Sequence, residues 1–392
     1  MSKLDSFSVA RWGIVATGGA IGVLAPLLQR WGNPPNMGIC VACFERDIAG
    51  ALGLHRAAAV QYLRPEIMGF VLGAMIAALI YSEFKPRAGS APIIRFFLGM
   101  FAMVGALAFL GCPWRALLRL AGGDLNALLG LAGLALGVGI GVQFLKAGYS
   151  LGRNHAAPAA VGWIMPATMV GLLVLAIARP VFTEGGAIYA STSGPGSMHA
   201  PLLISLGVGL LIGFLAQRTR FCTMGAIRDV ILMGDTHLLS GVGALVVAAI
   251  ITNLALGQVK VGFAAQPVAH SAYLWNVAGM TLAGLAFALA GGCPGRQLFL
   301  SGEGDGDAAI FVLGMISGAA FAHNFGLAGQ PDAIVDGSLK VGGISPAGMW
   351  AIGLGLLVCL ALGFAMRERM PAVRRVATTA GTSAVTSADS GE

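Results

Sequence analysis

The sequence predicts an all-α polytopic membrane protein built from two inverted repeats, each of about five spans with short re-entrant helices. Three observations predict it. Of 392 residues, 10% are charged and 57% hydrophobic, whereas a soluble domain carries about 25% charged residues, so the chain cannot cover a water-facing surface. Ten apolar runs recur along it, each near the roughly 20 residues that cross hydrocarbon. Two motifs also recur, in the same order, in each half.

The runs lie at residues 9–28, 64–82, 94–111, 125–145 and 160–178, and again at 201–217, 238–256, 274–291, 309–325 and 348–366. The first imitates a secretory signal behind Lys3 and Arg11, but no small-residue cleavage site with a soluble domain follows, so it reads as a retained helix. Residues 1–180 form the first repeat and 181–370 the second. The stretch from 371 to 392 is polar and of low complexity, which predicts a disordered cytoplasmic tail. The net charge of +7 comes from Lys and Arg scattered between runs, without a basic stripe or interleaved aromatics. These read as topology charges, and nucleic acid is not an expected partner.

The segment "LGCPWRALLRLAGGD" from 110 aligns without a gap on "GGCPGRQLFLSGEGD" from 291. A constant offset of 181 carries Cys112 to Cys293, Pro113 to Pro294, Arg115 to Arg296, Asp124 to Asp305 and Gly133 to Gly314. Upstream, "CVACFERDI" and "CTMGAIRDV" match Cys40 to Cys222, Arg46 to Arg228 and Asp47 to Asp229, at an offset of 182. Before Cys40 the first copy has an insertion within "QRWGNPPNMGI", whose Pro, Gly and Asn predict a surface loop. An odd number of spans per copy makes the second copy enter the membrane from the opposite side. With the N-terminus inside, cytoplasmic segments hold 15 of the 24 Lys and Arg, which agrees with a multi-pass inner-membrane protein.

Cys-Pro reads as an N-cap thiol followed by a new helix, because proline suits the first helical position. The segments after Cys112 and Cys293 are too short to span and end in glycines, so they predict short helices dipping inward, with free N–H groups at their inner ends. An Arg in the first turn opposes the helix dipole. Arg115 and Arg296 therefore call for something negative, either Asp124 or Asp305 of their own copy or an anion, and both readings stand. Cys40, Cys112, Cys222 and Cys293 sit at helix starts or beside an Arg-Asp pair, where thiols become reactive. Cys359, inside the last run, reads as a small hydrophobe. Cys40 and Cys43 form a Cys-x-x-Cys, but the second copy has Gly225 in place of Cys43 and no His pair is near, so no metal is expected. His155, His199, His237, His270 and His323 fall near loops and span ends. Many of the 59 glycines lie four apart, a spacing for close helix packing. No phosphate loop, Ser-His-Asp arrangement or nucleotide fingerprint occurs, so no cofactor is expected.

The four cysteines, the paired Gly-Cys-Pro-x-Arg motifs and the paired Cys-x5-Arg-Asp motifs resemble the YeeE/YedE family of membrane proteins, which includes thiosulfate transporters. The match covers residues 9–366 and looks most like the selenium-associated YedE branch. The resemblance implies a permease, not an enzyme, in which cysteines line the path of a small sulfur- or selenium-containing anion. Carried over by motif, the path residues are Cys112, Cys222 and Cys293, with Cys40 added by symmetry; Cys43 and the insertion depart from the pattern. Arg115 and Arg296 would offset the anion's charge, supported by Arg46, Asp47, Arg228 and Asp229. Two rival classes stand beside it. One is a membrane-embedded thiol enzyme carrying a persulfide or selenosulfide. The other is a membrane subunit for a small soluble sulfurtransferase-like (TusA-like) protein on the cytoplasmic side.

Overall fold

The structure, a computed structural model, describes residues 11–178 and 188–367; the tail at 371–392 lies outside them. The described residues form two successions of seven helices. The first is α1 (Arg11–Arg30), α2 (Val41–Ala51), α3 (Pro65–Ile80), α4 (Pro92–Phe109), α5 (Pro113–Ala121), α6 (Asn126–Lys146) and α7 (Ala159–Ala178). The second is α8 (Leu202–Thr219), α9 (Thr223–Met233), α10 (His237–Ala255), α11 (Tyr273–Ala290), α12 (Pro294–Gly302), α13 (Gly306–Asn324) and α14 (Pro346–Ala365). Two small antiparallel ribbons complete it, Arg87–Ala88 with His155–Ala156 and Ala333–Val335 with Ser338–Lys340.

All ten expected runs are helices. Nine candidate spans among the described residues are long and apolar enough to cross a membrane, and α3 is a shorter apolar helix of 16 residues. The chain is an all-α, multi-pass membrane protein. Large apolar side chains such as Ile251, Leu254, Trp350 and Leu357 face outward, as they do where lipid is the solvent.

The two successions interlock reciprocally. α1 packs along α10 while α8 packs along α3, and α6 packs along α11 while α13 packs along α4. Individual contacts repeat the exchange. A Cβ on Gly133 would lie 2.3 Å from the carbonyl oxygen of Val277, and one on Gly314 would lie 2.1 Å from that of Phe96. Gly133 and Gly314 are 181 apart, and so are Phe96 and Val277. Only glycine permits backbones this close. Residue i of one copy touching residue j of the other, and the reverse, is the signature of a two-fold relation between matched units.

The expected surface loop before Cys40 is instead an interior one. Asn33, Asn36, Met37 and Ile39 are buried. The polar backbone of this loop is satisfied inside: Asn33 donates to Gly38 O and Glu66 Oε1, both at 2.7 Å, and accepts from Ala200 N at 2.8 Å. Pro, Gly and Asn signal a turn, but they do not say which side of it meets solvent.

Candidate functional site

Four short helices, not two, start at the four repeated cysteines. The expected pair is α5 and α12, each opening on proline after Cys112 and Cys293. The sequence reading missed α2 and α9, which Cys40 and Cys222 cap: the Cys40 sulfur accepts from Cys43 N at 3.4 Å, and the Cys222 sulfur from Gly225 N at 3.2 Å. The available signal was the N-cap-to-N3 spacing, which sulfur satisfies as a Ser or Asp oxygen would.

Within each copy the two short helices meet end to end. The Cys40 thiol donates to the Cys112 sulfur at 3.7 Å, and the backbone N–H groups of Arg115 and Ala42 face that sulfur. In the second copy, Cys293 N donates to the Cys222 sulfur at 3.5 Å, and the N–H groups of Arg296 and Thr223 face the Cys293 sulfur. Each thiol pair thus lies where two helix N-termini point inward, a setting that favours negative charge. All four cysteines are buried and all six in the chain are free.

The arginines divide. Arg115 is fully buried and donates to the carbonyls of Leu110, Asn36 (3.3 Å), Pro267 (3.4 Å) and Val268 (3.0 Å), and to the Cys43 sulfur at 3.5 Å. Among the described residues no carboxylate pairs with it. Arg296 pairs with Glu303 at 3.2 Å. Neither meets the aspartate of its own copy, because Asp124 is taken by Arg119 at 2.6 Å and Asp305 by Arg87 at 2.8 Å.

Arg46 and Arg64 both bind Asp47 at 2.7 Å, and Arg228 binds Asp229 at 2.8 Å. These Arg-Asp pairs sit along α2 and α9, each a turn or more beyond its capping cysteine. Arg64 was not singled out from the sequence.

An aromatic cluster that the sequence reading also missed joins side chains of the two copies. The Trp114 ring lies 5.7 Å from Phe221, 5.9 Å from Phe70 and 6.0 Å from Phe299. Trp114 follows Cys112 by two residues, and Phe221 immediately precedes Cys222. Trp114 fills the space left by its own counterpart, Gly295, where a Cβ would lie 3.1 Å from Trp114 Cζ2. Glu45, at the position of Ile227, is buried with neither carboxyl oxygen hydrogen-bonded. No group of three or more His, Cys, Asp or Glu among the described residues could hold a metal ion.

Over 108 residues the chain is 30% identical to the thiosulfate transporter TsuA of Escherichia coli (strain K12), a stretch covering 27% of this chain and 30% of that relative. The chain is thus a multi-pass membrane protein whose residues 218–389, in the second copy and beyond it, match the sulphur transport family.

Proposed function

We propose that the protein carries a small sulfur-containing anion, thiosulfate or a selenium counterpart, across the inner membrane along a path set by the two thiol pairs. The observation that carries this reading is the convergence of paired helix N-termini on four buried thiols, with Arg115 left unneutralised beside the first pair. Thiols are weak, soft donors, so they hold a polarizable sulfur loosely enough for it to pass. The helix ends and Arg115 compensate the charge that the anion brings out of water. Sulfate keeps its charge on hydrated oxygens and would be poorly compensated by sulfur ligands.

The reciprocal packing supports two inverted copies, with the Cys112 pair served from one face of the membrane and the Cys293 pair from the other. A TusA-like acceptor would then meet the cytoplasmic mouth. Uptake of radiolabelled thiosulfate into proteoliposomes, compared with selenite and sulfate, tests the transport reading. Thiosulfate uptake well above sulfate is expected, and equal rates would sink it. A persulfide on a cysteine after exposure to thiosulfate, found by intact-mass spectrometry, would favour the thiol enzyme. For the layout, an impermeant thiol reagent is expected to modify Cys112 faster in intact cells and Cys293 faster in inside-out vesicles. Labelling of both from one face would mean parallel copies.

A further inference from the structure

Two buried polar side chains near the second thiol pair have no hydrogen-bond partner. Thr223, the first residue of α9, is buried and its hydroxyl has no hydrogen-bond partner. The Trp114 indole is also buried, and its Nε1 has no partner. The ring is oriented by its neighbours. The atoms closest to the Cβ position of Gly295 are Cζ2 at 3.1 Å, Cε2 at 3.4 Å and Cη2 at 3.5 Å, all of the six-membered ring, whose Cε2 adjoins the N–H. Gly295 lies two residues after Cys293, in the first turn of α12. The indole of the first copy therefore packs on the helix that Cys293 caps, and its ring lies 5.7 Å from that of Phe221, the residue before Cys222.

A buried donor without an acceptor costs free energy, and native structures retain few of them. Retaining two beside one thiol pair calls for an acceptor that is present only part of the time. The symmetry-matched positions have no such groups: Val41 of the first copy stands where Thr223 does, and Gly295 of the second copy where Trp114 does. The two pairs thus differ in what they offer besides sulfur.

We propose that Trp114 Nε1 and the Thr223 hydroxyl are the specificity donors of the path, binding oxygen atoms of an oxygen-bearing sulfur anion whose sulfur end rests on Cys222 and Cys293. This rests on the transport reading above and assigns it a substrate class: anions with a soft sulfur at one end and oxygens at the other. Sulfur-terminated anions without oxygen gain nothing from these two groups.

The test uses Thr223→Val, which keeps the side-chain shape and removes the hydroxyl, and Trp114→Phe, which keeps a ring in the aromatic cluster and removes the N–H. Each full-length variant is reconstituted at matched abundance. The readouts are the KM for thiosulfate and inhibition by thiocyanate, which ends in sulfur and has no oxygen. Each variant is expected to raise the thiosulfate KM about 5- to 10-fold, the effect of one lost hydrogen bond, with thiocyanate inhibition changed less than about twofold. An unchanged thiosulfate KM would overturn the proposal. So would equal loss toward both anions, the mark of a packing defect, or failure of thiocyanate to compete in the unmodified protein, since the sulfur end would then carry no recognition of its own. Absence of thiosulfate uptake by the unmodified protein would instead remove the transport reading and this inference with it.

Discussion

At Cys40 and Cys112 the arginine of the neighbouring short helix, Arg115, is held by carbonyls and a thiol, while at Cys222 and Cys293 the matching Arg296 faces Glu303 at 3.2 Å. The backbone of the two sites is nearly the same, with helices of equal length capped by cysteines 72 residues apart in the first copy and 71 in the second. What differs is charge. Glu303 stands at the position of Gly122, so one side chain decides whether the cation beside a thiol pair is already neutralised. Two symmetric sites of equal affinity would trap an anion as readily as pass it. On the path proposed above, a charged first site and a neutral second one would form a graded pair.

The largest effect is expected where this difference is removed outright. Arg115→Gln should reduce thiosulfate uptake about 10- to 100-fold at matched abundance, because a charge-assisted contact to a buried anion is worth about 1.5–3 kcal/mol. Arg296→Gln should reduce it no more than about threefold, since Glu303 already screens that cation. Equal losses in the two variants would mean that the difference in pairing has no bearing on passage. Arg115→Lys should fall between, keeping the charge but losing the planar fork that reaches four carbonyls. A Lys variant as poor as Gln would make the carbonyl contacts, and not the charge, the reason for the arginine.

Loss of a thiol should be next in size. Cys293→Ala and Cys112→Ala should each lower uptake about tenfold while membrane abundance stays near normal, since a small side chain at a helix cap contributes little packing. Normal uptake in either variant would take that sulfur out of the path. A gain is expected from Glu303→Gln, which frees Arg296: the KM for thiosulfate should fall and turnover should slow, each about 3- to 10-fold, as the second site comes to resemble the first. An unchanged KM would show that Arg296 is too far from the anion to matter.

How much of this was legible in the sequence follows from what each signal measures. Hydropathy reported all ten long helices, because an apolar run of that length has no other stable form in lipid. The 181-residue offset predicted a repeat, and the contacts of Gly133 with Val277 and of Gly314 with Phe96 join residues related by that same offset. Cys-Pro marked α5 and α12 because proline starts helices. The helices α2 and α9 start on Val41 and Thr223, which carry no such mark, and were not seen. Ion pairing was the least legible. The sequence left Asp124 or Asp305 of the same copy and an anion both open as partners of Arg115 and Arg296, yet Asp124 pairs with Arg119 of the same short helix and Asp305 with Arg87. The Arg87 pair joins residues 218 apart, which no local pattern encodes. Trp114 gave no signal at all until its counterpart, Gly295, was found against it.

That contact gives a smaller test of the same comparison. Gly295→Ala would place a Cβ 3.1 Å from Trp114 Cζ2, within first reach of the indole. The ring must then give way by a few tenths of an ångström, within a cluster whose other members, Phe70, Phe221 and Phe299, limit its retreat. Thiosulfate uptake should fall about two- to fivefold, and the tryptophan fluorescence of the protein should shift, while thiol labelling at Cys112 stays as before. A larger fall with loss of protein from the membrane would identify Gly295 as a folding position and leave the second site untested by this route, so the shift is read only at matched abundance.

The smallest effect is expected at Cys359, which, like Cys43, has no repeated counterpart. It lies inside α14, buried, and takes part in neither thiol pair. If passage depends on sulfur held at helix N-termini, a sulfur in the middle of an unbroken span has nothing to offer an anion, because every backbone N–H around it is already spent within the helix. Cys359→Ala should therefore leave uptake within about twofold of the unmodified protein and lower stability slightly through the lost sulfur contacts, by about 1 kcal/mol. A loss of uptake as large as that of Cys293→Ala, at normal abundance, would show that burial of a thiol matters and its place at a helix cap does not. The distinction between the two capped pairs and the remaining cysteines would then have no functional content.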